Sequence, residues 1–185
     1  VSLTAQQPYN NVVRTAVEAL SAVLGGTNSL HTNALDETLA LPSEQAAEIA
    51  LRTQQVLMEE TGVANVADPL GGSWYVEQLT DRIEADAEKI FDRIRDRGVL
   101  AHPDGQHPIG PMTSGILRGI DDGWFTGEIA ESAFQYQRAL VKGEKRVVGV
   151  NAHTGSVTGD LEILRVSHEV ERDQVGAVRR NGVHV

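Results

Sequence analysis

The chain has 185 residues, 41% hydrophobic and 23% charged, the make-up of about one globular domain. Its net charge of -10 argues against nucleic acid as a partner, because phosphate binding needs clustered Lys and Arg. The lack of cysteine excludes disulfides and thiolate metal sites, and no apolar run approaches the ~20 residues of a membrane-spanning helix. Aromatics are only 4%, so the core must rest on Leu, Val, Ile and Ala. The start, Val1-Ser2-Leu3-Thr4, is neither a signal peptide nor an initiator. It reads as the beginning of a piece whose preceding residues are missing, with the cytoplasm as its default compartment.

Val1 to Thr4 reads as the end of a strand, broken by Gln6-Gln7-Pro8. A helix follows over about Tyr9 to Leu24, with Val12, Val13, Ala16, Val17, Ala19, Leu20 and Val23 at helical spacing and Gly25-Gly26 as its stop. Asn10, Asn11 and Arg14 at its start are either solvated caps and a surface arginine or a brace for a ligand-side rim. Thr27 to Asn33 is a strand candidate and Ala34 to Leu41 its following loop or short helix. Pro42-Ser43-Glu44 opens a helix to about Glu60, with Ser43 as N-cap and Glu44 favourable to the dipole. Strand, helix, strand, helix predicts α/β structure with a parallel sheet, and two such units leave bare edges that want the rest of a barrel.

After Gly62 the pattern turns helical. An extended connection with Asp68-Pro69 and Gly71-Gly72 turns leads to a long helix from Ser73 or Trp74 to about Arg97. Its apolar face is Val76, Leu79, Ile83, Ala87, Ile90, Phe91 and Ile94, and its other face is charged. His102 to Pro111 reads as a loop. Its two histidines lack the spacing and converging ligands of a metal site, so no metal residue is assigned. Further helices are predicted over 113–121, 127–142 and about 161–180, with a hinge at Gly123-Trp124-Phe125-Thr126-Gly127 and a short strand over 146–150.

The stretch Thr27 to Pro42 carries the densest mixture of apolar and hydrogen-bonding side chains. Such a run suits a strand end feeding a loop over a ligand, where βα units place their chemistry. Asn33 and Glu37 are four apart. On a helical backbone they share a face and could grip vicinal hydroxyls such as those of a ribose. Otherwise Asn33 is a turn residue and Glu37 a surface carboxylate. His31 reads as a packed, hydrogen-bonded core residue rather than an acid or base. Asp36-Glu37 does not make a carboxylate pair, since adjacent residues on a strand point apart.

The run SLHTNALDE (Ser29 to Glu37), with SLTAQQPYNNVVRT (Ser2 to Thr15), Asp68-Pro69, Gly72 to Glu77 and Val148-Gly149-Val150-Asn151, resembles the catalytic subunit of the adenosylcobalamin-dependent acyl-CoA mutases, the methylmalonyl-CoA mutase family. The resemblance implies that residues 1–62 are the last βα units of a TIM (β/α)8 barrel and that 63–185 are a mainly helical post-barrel, subunit-contact region. It also implies that Glu37, Ala40, Asn33 and Leu41 lie against the adenosylcobalamin cofactor and that Asn28 and Ser29 face the acyl-CoA channel. The implied reaction is a radical interconversion of methylmalonyl-CoA and succinyl-CoA, with isobutyryl-CoA or 2-hydroxyisobutyryl-CoA mutase as the alternatives. No catalytic residue falls in this chain: the general-acid histidine belongs to an earlier strand. A separate small cobalamin-binding subunit or domain and a GTPase chaperone are the implied partners, and the chain is inactive alone. A reading of another class is a non-catalytic subunit-interaction scaffold built on the helices after Trp74.

Overall fold

A computed structural model describes residues 2–101, 109–155 and 161–180. Six helices organise them: α1 (Asn10–Leu24), α2 (Glu44–Glu60), α3 (Trp74–Ala101), α4 (Pro111–Asp121), α5 (Trp124–Val141) and α6 (His168–Arg180), with one 3-10 turn at Val63–Asn65. The described residues are mainly helical and contain no strand. They form two units: one holds the described residues up to Pro69 and from His153 onward, the other those of Leu70–Ala152.

In the first unit the helix ends follow local chemistry. Ser43 sits in extended backbone and its hydroxyl accepts the Ala46 N–H at 3.2 Å, capping α2. α1 stops where Gly25 and Gly26 donate back to Ser21 and Val23. A small core joins Ala34 and Leu35 to Ala46 and Ala50 of α2, with Val12, Ile49 and Leu161 against it.

The three expected strands are the main correction. Residues 2–4, 27–33, 146–147 and 149–150 carry no ladder, and in place of a strand Val148 makes an isolated bridge to Ala152. A strand is defined by its neighbour, and a stretch without one must satisfy its peptide groups in another way. Here side chains do it. Asn11 is fully buried. Its Oδ1 accepts the Thr4 N–H at 3.1 Å and its Nδ2 donates to the Thr4 carbonyl at 2.9 Å. One amide thus stands in for an adjacent strand, and it donates again to the Leu35 carbonyl at 2.9 Å. Asn11 is therefore a brace and not a solvated cap. Arg14 supports it, donating to Asn11 Oδ1 at 2.8 Å and to Thr4 Oγ1 at 3.0 Å.

This need also turns α1. Its buried residues are Asn11, Thr15 and Ala19, while Val13 and Val17, expected in the apolar face, are 64% and 59% exposed. Thr15 Oγ1 donates to the Asn33 carbonyl at 3.3 Å. On the α2 side, Thr32 Oγ1 donates to the Ala50 carbonyl and accepts from Gln54 Nε2, both at 2.8 Å.

The second unit is held differently. The Gly72 N–H donates to Glu77 Oε1 at 2.7 Å, so the Gly72 to Glu77 motif closes the start of α3. At its other end α3 meets α4 backbone to backbone. A Cβ at Gly98 would stand 1.8 Å from the Pro111 oxygen, and one at Gly115 would stand 1.9 Å from the Ile94 oxygen. Ile94 and Gly98 are the buried residues of α3; Leu79, Ile83, Ile90 and Phe91 of its expected apolar face are exposed. Trp124, at the start of α5, lies 4.9 Å from each of the Arg93 and Arg97 guanidiniums. Arg93 pairs with Glu128 at 2.7 Å, and Arg97 pairs with Asp122. The Asn151 amide donates to the Leu140 and Lys145 carbonyls and accepts the Val147 N–H, so the Val148 to Asn151 motif locks the end of α5. The last helix begins at His168, with 161–167 irregular before it. His102 and His107, and most of the loop that holds them, lie outside the described residues.

Candidate functional site

The candidate site residues lie on one segment of the first unit, between α1 and α2. Residues 31–34 are extended and 35–39 form successive turns. The Glu37 N–H donates to the Ala34 carbonyl at 3.2 Å, and the Leu39 and Ala40 N–H groups both reach the Asp36 carbonyl, at 2.8 and 3.1 Å. The backbone from Asn33 to Glu37 is not helical, so the helical condition for a shared face is not met. Asn33 and Glu37 share this segment, and among the described residues no hydrogen bond joins their side chains.

Each position has a distinct setting. Asn33 is half-buried and its carbonyl is taken by Thr15. Glu37 is exposed, and its carboxylate has no donor among the described residues. Ala40 is half-buried. Leu39 and Leu41 are exposed, Leu41 at 62%. Asn28 and Ser29 are exposed on the extended run, with the Ser29 carbonyl accepting from Thr27 Oγ1 at 2.9 Å. His31 is exposed as well, which corrects the expectation of a packed core histidine: it is Thr32, its neighbour on the opposite side of the extended backbone, that turns inward.

Sequence reasoning passed over Asp36. It is fully buried, while Glu37 beside it is exposed. Asp36 Oδ2 accepts the Ser43 N–H at 2.9 Å, tying the turn to the residue that caps α2. Its Oδ1 is buried without a donor among the described residues. No spacing signal marks this residue, because the bond joins residues seven positions apart across irregular backbone.

An exposed carboxylate beside a small residue and two exposed leucines can accept hydroxyl groups and pack an apolar surface. Among the described residues no group of three or more His, Asp or Glu could hold a metal ion, and no helix is long and apolar enough to cross a membrane.

Comparison with known proteins bears on this arrangement. The family model described as methylmalonyl-CoA mutase matches residues 1–182. The methylmalonyl-CoA mutase of Cereibacter sphaeroides is 44% identical over 173 residues, 94% of this chain and 22% of that protein. The 2-hydroxyisobutanoyl-CoA mutase large subunit of Aquincola tertiaricarbonis is 47% identical over 182 residues, 97% of this chain and 29% of that protein. The Escherichia coli methylmalonyl-CoA mutase is 37% identical over 180 residues, 97% of this chain and 23% of that protein. The chain thus spans between a fifth and a third of the length of these curated relatives.

Proposed function

The chain belongs to the methylmalonyl-CoA mutase family, and on that premise we propose that it forms part of an adenosylcobalamin-dependent radical isomerase that interconverts methylmalonyl-CoA and succinyl-CoA. Residues 1–62 are then the last βα units of a (β/α)8 barrel and 63–185 the helical region that follows. The extended runs flanked by α1 and α2 support this placing: they lie beside helices in βα order and are ready for strand neighbours. The 47% identity to a 2-hydroxyisobutanoyl-CoA mutase large subunit supports the alternative substrate. A panel of acyl-CoA esters, offered to the complete subunit with its cobalamin-binding partner, separates the two.

The observation that carries the site reading is Glu37, an exposed carboxylate on a turn closed by backbone hydrogen bonds. Its donor chemistry fits adenosylcobalamin, whose adenosyl ribose offers two hydroxyls to one carboxylate. When bound, that cofactor supplies the radical chemistry that no side chain can. Glu37 accepts the ribose hydroxyls and fixes their direction. Asn33 adds an amide from the extended run, Ala40 leaves room beside the turn, and Leu39 and Leu41 form an apolar wall that excludes water. Asn28 and Ser29 lie further back on the same run and face the acyl-CoA. This chain holds and orients; the acid of the reaction lies elsewhere in the protein.

Glu37→Gln in the complete subunit tests the reading. Losing a charge-assisted hydrogen bond should weaken cofactor binding about 10- to 100-fold, with assembly intact. Unchanged binding and turnover would remove Glu37 from the site. A second reading rests on exposed Trp74, Tyr75 and Ile83 of α3 and Ile129 and Phe134 of α5, which suit a subunit-contact scaffold. Loss of assembly with no change in cofactor affinity, on mutating those residues, is its signature.

A further inference from the structure

We infer that Asp36 is a positioning residue: its buried carboxylate latches the cofactor-facing turn onto the start of α2 and so fixes the direction of Glu37, the inference resting on the proposed role of Glu37. The turn projects outward and has few anchors of its own. Its apolar share of the core is Ala34 and Leu35, both before Asp36. After Asp36 come Glu37, Thr38, Leu39 and Leu41, all exposed, with only Ala40 half-buried. From Asp36 to Pro42 the single buried side chain is Asp36 itself.

Two attachments meet at this residue. Asp36 Oδ2 accepts the Ser43 N–H at 2.9 Å, which closes the loop from Asp36 to the capping residue of α2. The Asp36 carbonyl accepts the Leu39 and Ala40 N–H groups, which sets the turn inside that loop. One residue earlier, the Leu35 carbonyl is held by Asn11 Nδ2. Asp36 is thus fixed from α1 through its neighbour and from α2 through its own side chain. The residue that follows is exposed, and its side chain makes no hydrogen bond or ion pair among the described residues. A carboxylate that must meet ligand hydroxyls within hydrogen-bond distance gains from a fixed base, since a displacement of about 1 Å can cost on the order of 100-fold in a positioned interaction. The side chain is an acceptor toward Ser43, so asparagine can retain the latch and alanine cannot.

The experiment is a double-mutant cycle in the complete subunit, read as the dissociation constant for adenosylcobalamin and as thermal unfolding. Asp36→Ala should weaken cofactor binding about 10-fold or more beside an intact Glu37. In a Glu37→Ala background it should add little, because the group it positions is gone. Asp36→Asn should bind within about 3-fold of the unaltered subunit by keeping the acceptor. Equal weakening in both backgrounds overturns the inference and leaves Asp36 a purely structural residue, as does unchanged affinity in folded Asp36→Ala. If Glu37→Ala alone leaves affinity unchanged, the site reading itself fails. Where Asp36→Ala does not fold, Ser43→Pro removes the other end of the bond, and the Ser43 φ of -68° suits proline. Ser43→Ala, which keeps the N–H, is its control. Weakening by Ser43→Pro but not Ser43→Ala supports the latch; loss of fold in both Asp36→Ala and Ser43→Pro overturns it.

Discussion

The turn between α1 and α2 and the crossing of α3 with α4 solve the same problem by opposite means. In the first unit an irregular segment is fixed by buried polar side chains: Asn11, Thr15, Thr32 and Asp36 each take a backbone group. In the second, two helices are fixed by removing side chains, so that Gly98 and Gly115 let peptide groups touch. The difference teaches where specificity resides. Hydrogen bonds define one path for a segment that has no repeating structure, whereas close contact only needs the absence of a Cβ. A site that must hold a group in one direction is better built on the first plan.

The two plans can be set against each other by mutation. The largest effect is expected at the crossing, where Gly115→Val places side-chain atoms into the Ile94 carbonyl. It should cost about 3 kcal/mol or more, read as a lower urea midpoint of the purified protein. An unchanged midpoint would show that the helices can separate at no cost and would break the comparison. Asn11→Leu comes next, at about 2–3 kcal/mol, because it strands the Thr4 amide groups and the Leu35 carbonyl. It should also raise hydrogen exchange at Thr4, which a mere packing defect would leave protected. Thr32→Val removes one hydroxyl shared by Ala50 and Gln54 and should cost about 1–2 kcal/mol in the same urea assay. Ser43→Ala removes the α2 cap and should cost about 1 kcal/mol.

The smallest effect lies on the exposed rim of the second unit. The hydrogen bond from Arg93 holds the Glu128 carboxyl below its ordinary value of 4.5. A depressed carboxylate pKa contributes stability above the unfolded value, and that contribution disappears as pH falls through the folded one. Glu128→Gln should therefore lower the melting temperature slightly at pH 7, by an amount that shrinks as the pH falls below the ordinary carboxylate range. A difference that persisted in acid would assign the loss to packing.

The sequence made much of this legible. Gly25-Gly26, Ser43, Gly62 and Gly123 mark helix boundaries because caps and positive φ are local requirements, met by residue type. Ala40 and Leu41 came into view through the family motif alone; the four-residue spacing of Asn33 and Glu37 offered a shared helical face, a condition the extended and turn backbone between them does not meet. Periodicity placed Ala19 and Val12 inward but misjudged Val13 and Val17 for a definite reason: it counts apolar residues, and two of the buried positions of this helix, Asn11 and Thr15, are polar because an unpaired segment beside it needs donors and acceptors. The strand expectations failed likewise, since residue preference prepares an extended backbone but cannot supply its neighbour.

By itself, then, the sequence determined that these helices form, several of their ends, the family and the segment that bears the candidate site; the last helix starts at His168 rather than near 161, and α5 starts at Trp124, inside the expected hinge. Only the tertiary structure decided which of two adjacent acids turns inward and which faces out, that an asparagine stands in for a strand, and that two glycines are contact points rather than turns. Helix ends depend on groups within about four residues of one another. The latch at Asp36, the brace at Asn11 and the crossing at Gly98 and Gly115 join residues between 7 and 24 positions apart, through paths that no repeat in the chain describes.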